Sequence, residues 1–324
     1  MSTMFFKRLL ITTAFVLPYL SCSFQQGSYQ ERPTLPTGIQ EQPARPGPTE
    51  PSLNQSIPTP FSMYGATILD MTYCTMDGDE QKMDIYLPAQ PGGPWPVLVY
   101  IHGGSWMAGD KADTRGFEGE MKLGYAVVSL NYRLYPDVRH PKMIEDVKCA
   151  IRSLRAHADQ FNLDRNRIAA IGSSAGAHLA TLLGTSDQSA GWDVGEYLDQ
   201  SSRVQAVVAL APATDLSQQF LGPEDQMKLL DLFGSGNLVA ASPITYISPD
   251  DPPFLLIHGN KDMILPVQQS ETMYARLEEA GVPAQLVVVQ NADHSLSAED
   301  GSSTPDPEQI RLIVLEFLAA YLKQ

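Results

Sequence analysis

The 324-residue sequence contains few cysteines and few basic residues, and each shortage excludes a class of protein. Three cysteines cannot build a disulfide-dense scaffold or supply the four thiolates of a structural zinc site. The 22 Lys and Arg residues are outnumbered by 37 Asp and Glu residues, which argues against nonspecific nucleic-acid binding. No apolar run reaches the roughly 20 residues that a membrane-spanning helix needs. With 43% hydrophobic and 18% charged residues, the composition is instead typical of a globular protein.

The first 23 residues have the pattern of a targeting signal. A positively charged start precedes an apolar stretch, residues 9–20, that is too short to span a bilayer. A cut after Ser23 would release a secreted or periplasmic protein. A lipoprotein signal of residues 1–21 would instead leave Cys22 as a lipid-bearing N-terminus, which would be the chain's only membrane contact. The sequence leaves both outcomes open, and each predicts an exported protein.

Residues 24–60 form a proline-rich segment without helical or strand periodicity. Eight of the 25 prolines of the chain fall between residues 31 and 60, and no aromatic residue accompanies them. Such a stretch cannot bury enough apolar surface to offset its ordering entropy, so we expect an extended, disordered linker. The folded domain is therefore expected to be residues 61–324.

Apolar β-branched runs alternate with amphipathic stretches through this domain. Eight runs are predicted as strands: 66–73, 83–87, 96–101, 125–130, 167–171, 204–210, 254–257 and 285–289. Helices are predicted at 142–161, from 174 onward, at 267–280 and at 307–322. This alternation indicates an α/β fold with a mostly parallel, eight-stranded sheet, helices on both faces and an antiparallel edge formed by the first two strands. In such a sheet, reacting groups gather in the loops at the C-terminal ends of the strands.

A strand-to-helix turn carries the first chemical motif. The predicted strand 167–171 runs into Gly-Ser-Ser-Ala-Gly, residues 172–176, which matches the G-x-S-x-G pattern with Ser174 at its centre. The sharp turn puts the central serine in a strained, exposed position, and flanking glycines remove side chains that would collide. Alone, the pentapeptide is equally compatible with a glycine-rich helix start, so it needs support from other motifs.

A second motif, His-Gly-Gly-Ser-Trp at residues 102–106, directly follows the predicted strand 96–101. The adjacent glycines, Gly103 and Gly104, allow backbone N–H groups to turn inward and meet a tetrahedral oxyanion. Together with the N–H of Ala175, they would form an oxyanion hole. Such a turn one strand pair before G-x-S-x-G is more specific than either motif alone.

An acid and a base follow the serine in the order that a hydrolytic triad requires. Asp262 and His294 come directly after the last two predicted strands. His294 would take the proton of the Ser174 hydroxyl, while Asp262 orients the imidazole. Asp293 is the rival acid, but adjacent residues rarely direct their side chains at each other, so Asp262 is preferred.

The remaining chemistry-bearing residues are given structural roles. His258 ends a strand and is expected to brace the acid loop, and His178 is expected to be a packed residue on the helix that follows Ser174. Cys74 and Cys149 are left open between a disulfide and free buried thiols. Histidines and acids lack metal-ligand spacing, so no metal is expected.

These residues make the chain resemble the α/β-hydrolase superfamily, in its hormone-sensitive-lipase-like and bacterial carbohydrate-esterase-like branch of acetylxylan or feruloyl esterase type. The resemblance covers about residues 66–323 and includes the segments Asn-Tyr-Arg-Leu at 131–134 and Ser-Ala-Gly-Ala-His-Leu-Ala at 174–180. It implies that Ser174 is the nucleophile, Asp262 the acid and His294 the base. It also implies oxyanion donors at Gly104, Ser105 and Ala175, with Gly103 shaping the turn.

A small lid insert is expected at residues 185–200 together with 214–245. Its aromatic residues are candidates to line an acyl pocket, and simple packing of the insert is the equal alternative. The candidate substrate-binding residues are Trp106, Trp192, Phe220 and Phe233.

The function predicted from these features is that of a serine carboxylesterase without a cofactor. It would hydrolyse short acyl esters, such as acetyl or feruloyl groups on polysaccharide, through an acyl-serine intermediate on Ser174. Two alternatives remain, an amide-directed hydrolase (a formamidase or peptidase) on the same triad and a non-catalytic binding module. Acyl-chain preference and oligomeric state are left open.

Overall fold

A computed structural model of the chain describes residues 65–113, 118–218 and 222–323. The described residues belong to one compact unit. The predicted targeting signal, Cys22 and the linker 24–60 lie outside the described residues, as does the predicted domain start at residue 61.

Eight strands form one sheet in the order β1-β2-β4-β3-β5-β6-β7-β8. The strands are β1 Thr67–Met76, β2 Asp79–Tyr86, β3 Trp95–Ile101, β4 Ala126–Leu130, β5 Leu163–Ser173, β6 Ala206–Leu210, β7 Phe254–Gly259 and β8 Ala284–Val289. β2 pairs antiparallel with both β1 and β4, and the remaining pairs are parallel. The predicted mostly parallel, eight-stranded sheet with an antiparallel edge is confirmed.

Six α-helices accompany the sheet in the described part of the chain. They are α1 Glu118–Lys122, α2 Lys142–Ala156, α3 Ala175–Thr185, α4 Pro223–Phe233, α5 Gln268–Glu279 and α6 Pro307–Leu322. No helix in this part of the chain is long and apolar enough to cross a membrane. α2 ends at Ala156 rather than at the predicted Phe161, and the chain continues through a turn, residues 157–162, into β5. Asn162, at the end of this turn, has a left-handed φ of +54°.

The sheet is covered on both faces, as predicted. Val97 and Val99 of β3 face a core that contains the apolar residues of α2, α3 and α5. Leu98, between them, faces a second core that contains Phe317 and Leu318 of α6. This alternation follows from the two-residue period of a strand and explains why β3 reads as a continuous apolar run.

A disulfide joins Cys74 of β1 to Cys149 of α2, with 6.4 Å between the Cα atoms. Both cysteines are buried. The structure therefore settles the alternative that the sequence left open. Arg152, one turn further along α2, donates to the carbonyl of Glu196 at 3.0 Å and to the carboxylate of Asp193 at 2.8 Å, so the same helix also holds the insert 185–200.

Candidate active site

Ser174 lies at a sharp turn between the end of β5 and the start of α3, with φ of +54° and ψ of −119°. Non-glycine residues rarely adopt a positive φ, so the turn is strained. A Cβ atom on Gly176 would lie 2.0 Å from the carbonyl oxygen of Ile101, and one on Gly172 would lie 2.2 Å from the carbonyl oxygen of Gly176. Gly176 is therefore required by close packing of the elbow against β3, and Gly172 by the tightness of the elbow itself.

The His-Gly-Gly-Ser-Trp turn packs directly against this elbow. A Cβ atom on Gly103 would lie 3.0 Å from the carbonyl oxygen of Ser173 and 3.5 Å from the Cβ of Ser174. Gly104 has φ of +104°, a backbone conformation that favours glycine. Within the described residues, the backbone N–H groups of Gly104 and Ser105 have no protein acceptor, so they remain available to an anion beside Ser174.

The acid and the base meet across two neighbouring loops. The Nδ1 of His294, after β8, donates to Oδ2 of Asp262, after β7, at 2.6 Å. Because Nδ1 carries the proton, Nε2 of His294 keeps a lone pair that can accept the proton of a hydroxyl. Gly259 allows the loops to approach, since a Cβ atom there would lie 2.3 Å from the carbonyl oxygen of Asp293.

Asp262 is held ionised by four hydrogen bonds. Its Oδ2 accepts from His294 and from Nε2 of His258 at 3.1 Å, and its Oδ1 accepts from the backbone N–H groups of Ile264 at 2.8 Å and Leu265 at 2.9 Å. Burial raises the pKa of Asp262, but the hydrogen bonds from His258, His294 and the backbone outweigh burial and hold it well below its usual range. The carboxylate is therefore a permanent negative partner for the imidazole.

His258 has both ring nitrogens occupied. Its Nε2 contacts two acceptors, Asp262 and the carbonyl of Leu265 at 2.9 Å, so Nε2 carries a proton. Its Nδ1 lies 2.8 Å from the hydroxyl of Ser270 on α5. This arrangement confirms the expectation that His258 braces the acid loop.

The rival acid makes only local contacts. Oδ1 of Asp293 accepts from the backbone N–H of Ser295 at 2.8 Å and from its hydroxyl at 2.6 Å, which closes the turn after β8. The structure thus places Asp262, and not Asp293, on His294. No hydrogen bond joins the Ser174 hydroxyl to His294 in the described part of the chain. Such catalytic contacts often tighten only when substrate is bound.

A cavity of about 170 Å³ opens beside Ser174. Ser105 and Trp106 of the glycine turn form one side of it, and α4 forms another. The remaining lining residues are Met107, Tyr135, Asp225, Lys228, Leu229, Leu232, Ile264 and Leu265. The wall is therefore largely apolar, and its charged residues are Asp225 and Lys228 on α4.

Of the four aromatic residues predicted to bind substrate, only Trp106 lines this cavity in the described structure. Phe233 lies behind it, with its ring centre 5.0 Å from that of Trp106. Trp192 packs further from the cavity, with its ring centre 5.1 Å from that of His140 and 5.2 Å from that of Tyr246. For Phe233 and Trp192 the packing alternative therefore holds, because large aromatic rings gain most from full burial. Phe220 lies outside the described residues.

Sequence reasoning missed Tyr135 and the apolar pair Leu229 and Leu232 in the cavity wall. The pair has the three-residue spacing of one helix face, and Pro223 in the first turn marks the start of α4, so a signal for α4 was present. Tyr135 gave none. Among the described residues, no group of three or more His, Cys, Asp or Glu side chains could hold a metal ion.

Comparisons with known proteins find related esterases. The family model described as BD-FAE matches residues 83–277. Esterase LipQ of Mycobacterium tuberculosis is 32% identical over 87% of this chain and 69% of its own length. Esterase LipC of the same organism is 30% identical, over 70% of this chain and 60% of its own length.

Two solved structures have the same fold at low identity. A truncated carbohydrate esterase from gut microbiota superposes with a TM-score of 0.67 and 26% identity, covering 81% of this chain and 98% of its own. The propionate-bound esterase Est2 of Thermogutta terrifontis superposes with a TM-score of 0.65 and 26% identity, covering 80% and 94%.

Proposed function

Because this chain belongs to the BD-FAE family of α/β-hydrolases and is a serine ester hydrolase, we propose that it cleaves short acyl esters through an acyl-serine intermediate on Ser174. The observation that carries the proposal is the 2.6 Å contact of Asp262 with His294. Ile264 and Leu265, next to Asp262 on the acid loop, line the same cavity as the strained Ser174. The neighbouring backbone N–H groups of Gly104 and Ser105 supply hydrogen-bond donors for the oxyanion.

The mechanism follows from these groups. Nε2 of His294 takes the hydroxyl proton as Oγ of Ser174 attacks the ester carbonyl carbon, and the negative charge of Asp262 stabilises the resulting imidazolium. The backbone N–H groups of Gly104, Ser105 and Ala175 bind the oxyanion of the tetrahedral intermediate. His294 then returns the proton to the departing alcohol, and water releases the acid by the same steps in a second round.

The cavity favours a small acyl group. An apolar cavity of roughly 150 Å³ accepts a benzene molecule, so about 170 Å³ holds a short aliphatic chain or one ring. An acetyl group fits entirely, while a feruloyl group would extend out of the cavity. The carbohydrate esterase among the structural relatives supports a polysaccharide as the carrier of the ester.

We further propose that the protein acts outside the cytoplasm. The Cys74–Cys149 disulfide requires an oxidising compartment in most organisms, and the predicted signal at residues 1–23 would deliver the chain there. Mass spectrometry of the mature N-terminus distinguishes release after Ser23 from a lipid-modified Cys22, and an uncleaved Met1 contradicts both.

The test is an activity panel that compares the wild type with Ser174→Ala and uses Ser173→Ala as the matched control. The panel covers p-nitrophenyl esters of rising chain length, acetylated xylan, a feruloyl ester and a formamide. We expect acetyl esters to be the best substrates, Ser174→Ala to lower kcat by roughly 10⁴- to 10⁶-fold, and Ser173→Ala to stay near wild type. Cleavage of the formamide without ester cleavage would favour the amide-directed alternative. Failure of a fluorophosphonate probe to label the wild type would favour a binding module.

A further inference from the structure

Trp106 connects the His-Gly-Gly-Ser-Trp turn, residues 102–106 and called the oxyanion turn below, to α3, the helix that begins directly after Ser174. Its side chain is only 7% exposed and lines the cavity beside Ser174. Its indole Nε1 donates to Nδ1 of His178, 72 residues further along the chain, at 3.2 Å. His178 lies one turn after Ser174 on α3, and its backbone N–H donates to the Ser174 carbonyl at 3.0 Å. One hydrogen bond thus joins the oxyanion turn to the helix that follows Ser174.

The bonding of His178 fixes its proton. Nε2 lies 2.8 Å from the carbonyl oxygen of Ala241, an acceptor, so Nε2 carries the hydrogen. Nδ1 must then present its lone pair, which is what the indole N–H of Trp106 needs. The ring is fully buried, and burial lowers the pKa of His178 to about 3, so the imidazole stays neutral.

The turn needs such a tether because its backbone is strained. Ser105 and Trp106 both adopt left-handed φ angles, +55° and +60°, which cost energy for residues with a Cβ atom. Surrounding contacts have to hold residues in such conformations. The backbone supplies one, from the N–H of Tyr135 to the carbonyl of Trp106 at 2.9 Å. The indole supplies another, aimed at the nucleophile helix.

We propose that the Trp106–His178 hydrogen bond is a positioning contact that holds the backbone N–H groups of the oxyanion turn at their working distance from Ser174. The inference rests on the proposed ester hydrolysis, and it assigns a role to two residues outside the triad. Neither side chain touches the reacting atoms through this bond. The bond instead fixes the position of the backbone N–H donors of the oxyanion turn. That position matters most in the transition state, when the oxyanion forms.

The first test removes the donor together with part of the ring volume. Trp106→Phe keeps an aromatic ring but loses the indole N–H. For p-nitrophenyl acetate we expect kcat to fall about 10- to 100-fold while KM changes by less than about threefold, because the loss is confined to the transition state. The affinity for phenylboronic acid, which forms a tetrahedral adduct with the serine oxygen, should fall by a similar factor.

The second test removes one ring nitrogen at a time. In His178→Asn the amide oxygen can stand near the position of Nδ1 and accept from Trp106, whereas His178→Gln reaches toward the position of Nε2 and keeps the bond to Ala241. We expect the Asn variant to retain most of kcat and the Gln variant to lose it as Trp106→Phe does. His157→Gln, on the distant C-terminal end of α2, is the matched control and should behave as the wild type.

Thermal unfolding of each variant separates positioning from simple destabilisation. The proposal is overturned if Trp106→Phe keeps kcat within about threefold of the wild type, or if the two His178 variants lose kcat equally. It is equally overturned if both His178 variants and Trp106→Phe are lowered in kcat and raised in KM together. An inactive wild type would instead reject the proposed function itself, so the two failures are distinguishable.

Discussion

The buried imidazole of His178 predicts a specific sensitivity of the fold to acid. The side chain is completely inaccessible, and both of its ring nitrogens have neutral partners, Trp106 and the carbonyl of Ala241. Burial lowers the pKa of His178 to about 3, while an unfolded histidine titrates near 6.5. Between these values the unfolded chain binds a proton that the folded chain does not. The contribution of the neutral His178 to the free energy of unfolding is therefore fully present above about pH 6.5 and is lost as the pH drops toward 3.

The size of the effect follows from the difference in proton binding. At pH 5 the unfolded imidazole is almost fully protonated, and the folded imidazole is almost fully neutral. This pH lies about 1.5 units below the pKa of the unfolded imidazole, and each unit corresponds to about 1.4 kcal/mol of unfolding free energy. His178 alone should therefore remove ~2 kcal/mol of unfolding free energy between pH 8 and pH 5.

Urea unfolding at the two pH values, with the disulfide intact, measures this loss. In His178→Asn the loss between pH 8 and pH 5 should be smaller than in the wild type by ~2 kcal/mol, because the titrating group is gone. Trp106→Phe is the control, since it breaks the hydrogen bond but leaves the imidazole buried, and it should keep the wild-type pH dependence. Equal losses in the wild type and His178→Asn would refute the reasoning.

Three further outcomes follow from the structure. Asp262→Asn should lower kcat for p-nitrophenyl acetate by about 10⁴-fold, because it stabilises the wrong imidazole tautomer. Asp293→Asn should lower kcat by less than about tenfold, and a larger loss in Asp293→Asn than in Asp262→Asn would make Asp293 the acid. Reduction of Cys74–Cys149, which closes a loop with a sequence separation of 75, should lower the free energy of urea unfolding by ~4 kcal/mol, and an unchanged midpoint would contradict this. Gly176→Ala places a Cβ atom 2.0 Å from a β3 carbonyl oxygen, so circular dichroism should show loss of the native fold and not a mild kinetic defect.

The sheet was predictable because its signals are local. The inner parallel strands are buried on both faces, so each appears in the sequence as a short β-branched apolar run. The contact of Asp262 with His294 was predictable for a related reason. Loops that follow neighbouring parallel strands end at one edge of the sheet, so their order in the chain fixes their proximity.

The cavity wall was not predictable in the same way. Size and aromaticity made Trp192 and Phe233 candidates, but these properties favour burial as strongly as they favour ligand contact. The residues that do line the cavity, such as Tyr135 and Leu229, come from separate segments whose approach depends on how α4 packs. The disulfide was equally beyond the sequence, because two cysteines 75 residues apart pair only if the helix crosses the strand at that point.

The packing of α4 links substrate selection to catalysis. Leu232 lines the cavity, and its neighbour Phe233 places its ring 5.0 Å from Trp106 and 5.5 Å from His178. One turn of helix therefore touches both the acyl pocket and the pair that we propose to position the oxyanion turn. Because a packed interior transmits small displacements, a change in α4 that alters the pocket also displaces the Trp106 ring. We therefore expect that enlarging the cavity from α4 changes both the acyl preference and kcat.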